Sequence, residues 1–233
     1  MTEATATAAR PATAISRKAA LISFAGAATF VVLLAVLHLI KPGLDPSWRF
    51  ISEYAIGDYG WMMVLAFLSL AVGYVSLFVA IRSQLRTIAG RIGLALLLVS
   101  ALGLAIAAVF TTDPITVSED AVTTAGTLHN LGGTLGIAMP FAAALVGWKL
   151  ARNPAWYSAR RSLLWATGLA VVAFLFSFVS LGVMVSRSGG EFGPNVPVGW
   201  PNRIEIVVYS VWLMVVAWQA IRVSSGRRFT DEA

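Results

Sequence analysis

The sequence predicts an all-α, polytopic membrane bundle of six transmembrane helices, and three observations support that fold class. Hydrophobic residues make up 58% of the 233 positions and charged residues only 12%, whereas soluble domains carry roughly 25% charged residues. Six apolar segments are each long enough to cross a bilayer core of roughly 30 Å. Lys and Arg are abundant in every second connection, as in chains that cross a membrane repeatedly. A soluble enzyme, a disordered tail and a fibrous protein are thereby excluded.

Five of the six apolar segments contain no charged residue, and the sixth contains only Glu205, near its start. The first follows an Ala- and Thr-rich tail and is longer than the apolar core of a signal peptide, which has about 7–15 residues. Pro140 falls inside the fourth segment, where its missing backbone N–H predicts a kink. The predicted organisation is a flexible tail at residues 1–18, one transmembrane domain at residues 19–223 with spans at about 19–40, 60–81, 92–110, 127–148, 162–185 and 204–221, and a second tail at residues 224–233.

The charge of the connections predicts how the chain is threaded. Thirteen of the 17 Lys and Arg residues lie in the two terminal segments and in the second and fourth connections. Because positive charge stays on the cytoplasmic side, both termini are expected to be cytoplasmic. The other three connections are longer and carry seven of the 11 Asp and Glu residues, and an eighth, Glu205, lies at the start of the sixth span on the same side. The net charge of +6 therefore indicates topology, and nucleic acid is not an expected partner.

Small residues and one aromatic segment predict local packing. Gly132 and Gly136 are spaced so that a neighbouring helix can approach the fourth span closely. Residues 48–56, with the sequence WRFISEYAI, are expected to form a short interfacial helix whose aromatic side chains lie near the lipid headgroups.

Ionisable and hydroxyl side chains gather at the predicted outer ends of the spans. Groups of this kind at membrane depth are costly and mark functional sites. They predict an outward-facing polar pocket. Its candidate residues are His38, Ser52, Glu53, Asp113, His129, Arg203 and Glu205.

Several kinds of chemistry fit these residues. The preferred interpretation is a pocket for a lipid headgroup or small molecule, held by Arg203, Glu205 and Asp113. The alternative is a zinc site with His38, His129 and Asp113 as ligands and an open position for water, which a metal-dependent intramembrane hydrolase would use. Two histidines at one depth are also the minimum for a haem. A scaffold without ligand needs only local contacts, such as an ion pair between Arg203 and Glu205.

Cysteine and histidine usage limits the cofactors. The chain has no cysteine and only two histidines. Disulfides, thiolate-bound zinc and iron–sulfur clusters are therefore excluded. No cofactor is predicted firmly, zinc is the one metal retained, and the sequence leaves open whether the protein is an enzyme.

Polar residues and glycines occur in a characteristic order along the chain: His38, Pro42-Gly-Leu-Asp45, Ser52-Glu-Tyr54, Gly57, Thr112-Asp-Pro114, Gly126-Thr-Leu-His129, Gly199 and Arg203. This order resembles a bacterial membrane family known only as domain of unknown function 998. The likeness extends from about residue 20 to residue 223, with Asn202 where the family often has Gln before the final Arg. The resemblance implies six helices, a polar cluster on the outer face and no assigned activity. We expect a location in a bacterial plasma membrane, with membrane lipids as partners.

Overall fold

The structure, a computed structural model, describes residues 15–231 and the side chains of residues 15–225. Residues 1–14 of the first predicted tail and residues 232–233 of the second lie outside the described residues. The described part of the chain forms seven α-helices and contains no strand. The helices are α1 (Arg17–Ile40), α2 (Gly60–Ile81), α3 (Ile88–Val109), α4 (Thr124–Gly136), α5 (Ala138–Ala151), α6 (Arg160–Arg187) and α7 (Gly199–Asp231).

Six helical stretches within the described residues are long and apolar enough to cross a membrane, which confirms the predicted fold class. There is one more helix than there are spans because the fourth span is divided at Ile137, between α4 and α5. Pro140 is the third residue of α5. It has no backbone N–H to bond the carbonyl of Gly136, so the helical hydrogen-bond ladder is interrupted there. This interruption of the helix lies next to Pro140, where the sequence predicts a kink.

The helices form a bundle in which the last span returns to the first. Helix α1 packs against α2 and α7, α3 packs against α2, α4 and α5, and α6 packs against α5 and α7. Small residues allow two of these approaches. A Cβ atom on Gly26 of α1 would lie 2.4 Å from the Ser69 carbonyl oxygen, and one on Gly132 of α4 would lie 2.6 Å from that of Gly103. The close packing predicted for Gly132 is confirmed.

The two ends of the bundle differ. The loop-rich end comprises residues 41–59, 110–123 and 188–198, and the basic end comprises residues 82–87 and 152–159. Near the loop-rich end, α4 packs along α3 and makes no extended contact with α6 or α7 within the described residues. This leaves a gap in the bundle between α4 on one side and α6 and α7 on the other.

Candidate functional site

Arg203, the fifth residue of α7, is buried, with 4% of its surface exposed. Its Nε donates to Nε2 of His38 on α1 at 2.8 Å. Its Nη1 donates to the backbone carbonyls of Arg49 and Gly199. The guanidinium also lies over the ring of Tyr54, 5.7 Å from its centroid. One cation therefore joins α7 to α1 and to the first connection.

These contacts fix the state of His38. Arginine only donates hydrogen bonds, so Nε2 of His38 must be the acceptor. The other ring nitrogen, Nδ1, lies 2.7 Å from the carbonyl oxygen of Leu34 and must donate to it. His38 is therefore a neutral imidazole with its proton on Nδ1, and its ring centroid lies 5.0 Å from that of Tyr54 with the two ring planes tilted by 54°.

Glu53 accepts a second set of hydrogen bonds at the loop-rich end. It is 1% exposed and accepts from Nη1 of Arg49 at 2.7 Å, in an ion pair. It also accepts from the backbone N–H groups of Phe50 and Ile115, each at 3.0 Å. The bond to Ile115 ties the third connection to the first. We call His38, Arg49, Glu53, Tyr54 and Arg203 the Arg203 network.

The first connection is also anchored at its ends. Nζ of Lys41 donates to the carbonyls of Tyr54 and Ile56, and burial lowers the pKa of Lys41 although the carboxylate of Asp58 opposes this. The hydroxyl and backbone N–H of Ser47 hold the pKa of Asp45 below its usual value.

Two glycines named by the family resemblance have geometric reasons to be glycine. Gly57 has φ +70°, a conformation that costs glycine little. A Cβ atom on Gly199 would lie 2.4 Å from the carbonyl oxygen of Pro46, so the start of α7 can touch the first connection only without a side chain there.

Asp113 stands apart from the Arg203 network. Its carboxylate accepts from the backbone N–H of Thr123 at 2.8 Å and from the Thr123 hydroxyl at 2.9 Å. Thr123 is the N-cap of α4 and accepts from the N–H of Gly126. Asp113 therefore fixes the start of α4, which agrees with a local structural role.

A cavity of about 440 Å³ occupies the gap between α4 and α7. It begins at the first connection and reaches Ser100, nine residues before the end of α3, or about 14 Å along the helix axis. Its polar lining residues are Ser52, Tyr74, Ser100, Thr112, His129, Asn130, Thr134, Asn202, Glu205 and Tyr209.

The lining of this cavity includes one histidine and one carboxylate, on different helices. His129 of α4 is 6% exposed, and its Nδ1 lies 2.8 Å from the carbonyl oxygen of Phe110 and 3.1 Å from that of Ala107. On α7, Glu205 accepts from the hydroxyl of Tyr209 at 2.8 Å. The two least apolar spans of the bundle supply these residues.

The seven residues predicted to share one pocket are thus divided. Ser52, His129 and Glu205 line the cavity. His38, Glu53 and Arg203 belong to the Arg203 network, and Asp113 caps α4, so these four are absent from the cavity lining. The expected ion pair between Arg203 and Glu205 is wrong, because Arg203 bonds His38 and Glu205 bonds Tyr209.

The predicted zinc ligands are not brought together. His38, Asp113 and His129 have separate hydrogen-bond partners. Among the described residues, no group of three His, Asp or Glu side chains could hold a metal ion. The geometry therefore gives the predicted zinc site no ligand set.

The interfacial helix expected at residues 48–56 is also different in the structure. A short 3-10 helix spans Ile51–Ala55, and the side chains of Ile51 and Tyr54 are buried in the bundle. They pack against protein because the first connection folds back over the helix ends and bonds Asn202 through the backbone N–H of Ile51.

Sequence reasoning overlooked several lining residues. The overlooked residues include three isolated polar side chains inside apolar spans: Tyr74, Asn130 and Tyr209. Because polar groups at membrane depth are costly, each of them could have indicated a functional site. They share one cavity because of the rotation of α2, α4 and α7 about their own axes, and a local sequence pattern does not predict that rotation.

Comparison with known proteins agrees with this architecture and assigns no activity. No curated protein matches the chain. No solved structure matches it either. The sequence profile described as "Protein of unknown function (DUF998)" matches residues 24–219, most of the chain. The six-span helical bundle and this match together place the chain in the DUF998 family, to which it belongs.

Proposed function

We propose that this integral membrane protein binds one amphipathic molecule, a lipid or a lipid-like small molecule, in the cavity between α4 and α7. The observation that carries the proposal is a space of about 440 Å³ at membrane depth that is lined by ionisable and hydroxyl side chains. Ligand pockets have volumes of roughly 300–1,000 Å³ and combine apolar walls with a few polar groups. Placing polar groups at this depth costs free energy, which favours a binding role for them.

The route into the cavity favours a ligand with a hydrocarbon chain. The lining residues Asn130, Gly133 and Thr134 on α4 and Leu181 on α6 are exposed on the surface of the bundle. In a membrane that surface faces lipid. A ligand could therefore keep its chain among the lipids and place its polar head between α4 and α7.

We also propose that the protein lies in a bacterial plasma membrane with both termini in the cytoplasm. Thirteen of the 17 Lys and Arg residues lie in the terminal segments and in the predicted second and fourth connections, and positive charge is retained on the cytoplasmic side. The loop-rich end and the mouth of the cavity would then face the outer leaflet, and membrane lipids would be the immediate partners.

We do not propose the metal-dependent hydrolase. It required His38, His129 and Asp113 to share one ion, and Asp113 instead caps α4 through Thr123. A scaffold without ligand is the outcome that the following experiment would favour if no probe bound.

Gly133 provides a direct test. It lines the cavity, and a Cβ atom there would meet no atom within 4 Å. Gly133→Phe should therefore place a ring in the cavity without separating the helices. Gly168→Phe is the matched control, because Gly168 has the same open surroundings on α6 and does not line the cavity.

Native mass spectrometry would measure the binding of dodecylamine, dodecanol and dodecanoate in a detergent without a dodecyl chain. At least one probe should bind the unmodified protein and Gly168→Phe with one-to-one stoichiometry, and Gly133→Phe at least tenfold more weakly. The proposal fails if no probe binds the unmodified protein, or if every probe that binds it binds all three proteins equally.

A further inference from the structure

We infer that the cavity selects a ligand whose head is a protonated primary amine. The inference rests on the proposed function and names the chemistry of its ligand. It follows from the charge of the lining, from the direction of its hydroxyl protons and from the free nitrogen of His129.

The cavity lining carries one formal negative charge without a protein cation to balance it. Glu205 is the only Asp or Glu in the lining, and the lining contains no Lys or Arg within the described residues. Its carboxylate accepts from the neutral hydroxyl groups of Tyr209 and Ser177. An ionised carboxylate has about four acceptor sites, so it can take further donors from a ligand.

Four of the six hydroxyl groups of the lining donate their protons to the protein, and the other two belong to Ser52 and Tyr74. Each hydroxyl has one proton and two lone pairs, so a group that donates to the protein offers only acceptor sites to the cavity. The bonds are Ser100 to the Leu96 carbonyl at 3.1 Å, Thr112 to the Asp113 carbonyl at 3.1 Å, Thr134 to the Asn130 carbonyl at 2.9 Å, and Tyr209 to Glu205 at 2.8 Å.

His129 adds an acceptor on the opposite wall. Its Nδ1 lies between the carbonyl oxygens of Ala107 and Phe110, so Nδ1 carries the proton. Nε2 of the neutral ring is then an acceptor. No group in the described part of the chain donates to it, although the residue is more than nine-tenths buried. His129 and Glu205 thus present unfilled acceptors from α4 and α7.

A protonated primary amine complements this lining. It has three N–H donors, no acceptor and one positive charge. A neutral alcohol supplies a single donor and no charge, while an anionic head would meet lone pairs and a like charge. The amine can belong to the headgroup of an aminophospholipid or to a free alkylamine, since both present the same ammonium group.

The test compares heads on one chain length. Dodecylamine should bind the unmodified protein at least tenfold more tightly than dodecanol, and dodecanoate should bind most weakly. Glu205→Gln should lose at least tenfold in affinity for dodecylamine and change by less than twofold for dodecanol. Glu191→Gln is the matched control, because Glu191 is exposed at the loop-rich end and outside the cavity lining.

The outcomes separate this inference from the proposed function. If dodecanol binds as tightly as dodecylamine and Gly133→Phe weakens both, the cavity binds ligands but does not select an amine. If Gly133→Phe alters no probe, the proposed function fails and the inference fails with it. If Glu205→Gln does not fold, the relative affinities of dodecylamine, dodecanol and dodecanoate for the unmodified protein still test whether the cavity selects an amine.

Phospholipid binding distinguishes the two sources of the amine. If phosphatidylethanolamine binds more tightly than phosphatidylglycerol, and if Glu205→Gln loses this binding, the ligand is a lipid headgroup. Preference for dodecylamine without preference for phosphatidylethanolamine would indicate a free amine. Preference for phosphatidylglycerol, an anionic lipid, over both amines would overturn the inference.

Discussion

Arg203 donates its Nε–H to Nε2 of His38 across 2.8 Å, although 165 positions separate the two residues in the chain. The bond joins the last membrane span to the first at the loop-rich end. His38 suits this place because a neutral imidazole supplies a lone pair without adding a charge to the membrane. The same guanidinium holds the backbone of the first connection at Arg49, so the connection and both helices share one anchor.

Arg203→Met should strongly destabilise the bundle. The substitution leaves Nε2 of His38 and the carbonyl of Arg49 without their donor, and each buried acceptor left unsatisfied costs about 1–3 kcal/mol. The free energy of unfolding, measured in mixed micelles, should fall by about 3 kcal/mol. Arg187→Met, at an exposed site near the same end, should change it by less than about 0.5 kcal/mol. Equal effects would show that Arg203 has no special role.

Both histidines should carry their single proton on Nδ1. In each ring Nδ1 faces backbone carbonyl oxygens, those of Leu34 for His38 and of Phe110 and Ala107 for His129. The ¹⁵N chemical shifts of ring-labelled protein should show a protonated Nδ1 and an unprotonated Nε2 at both sites. His38→Phe would assign the two signals. A proton on Nε2 of His38 would contradict the bond from Arg203.

The spans could be predicted because their signal is local. An apolar run of fixed length needs no knowledge of its neighbours, and Pro140 interrupts its own helix. The partners of Arg203 and Glu205 could not be predicted in this way. Residues two apart on a helix point in different directions, so Arg203 faces α1 while Glu205 faces the cavity.

The division of the candidate site has the same cause. Chain position gives the depth of His38, Asp113 and His129 in the membrane, and their predicted depths are similar. It does not give the direction in which each side chain points around its helix. That direction depends on packing between distant segments, such as the approach of Gly132 to Gly103.

Glu53→Gln should loosen the connection between the first and third loops. The buried carboxylate accepts from Arg49, Phe50 and Ile115, and an amide has only one acceptor oxygen for these donors. We expect a loss of about 2 kcal/mol in the free energy of unfolding and faster hydrogen exchange at the Ile115 amide. Glu119→Gln, at an exposed position of the third connection, is the control. Unchanged exchange at Ile115 would refute the coupling of the two loops.

Two adjacent glycines of α4 should respond oppositely to alanine. A Cβ atom on Gly132 would lie 2.6 Å from the carbonyl oxygen of Gly103 and 2.9 Å from the backbone nitrogen of Ala107. Gly132→Ala should therefore cost about 2 kcal/mol through overpacking between α3 and α4. Gly133→Ala meets no atom within 4 Å and should be neutral or stabilise the helix by up to about 1 kcal/mol. Thermal unfolding of both variants would check this order, and equal midpoints would contradict the tight approach of α3 and α4.

The proposed orientation can be tested with two single-cysteine variants, because the chain has no cysteine of its own. Ser118 is exposed at the loop-rich end, and Ser158 is exposed at the basic end. Since positive charge is retained in the cytoplasm, a membrane-impermeant maleimide should label Ser118→Cys in intact cells and Ser158→Cys only after lysis. The reverse pattern would place the cavity mouth on the cytoplasmic side. An amine ligand would then have to reach it from the inner leaflet.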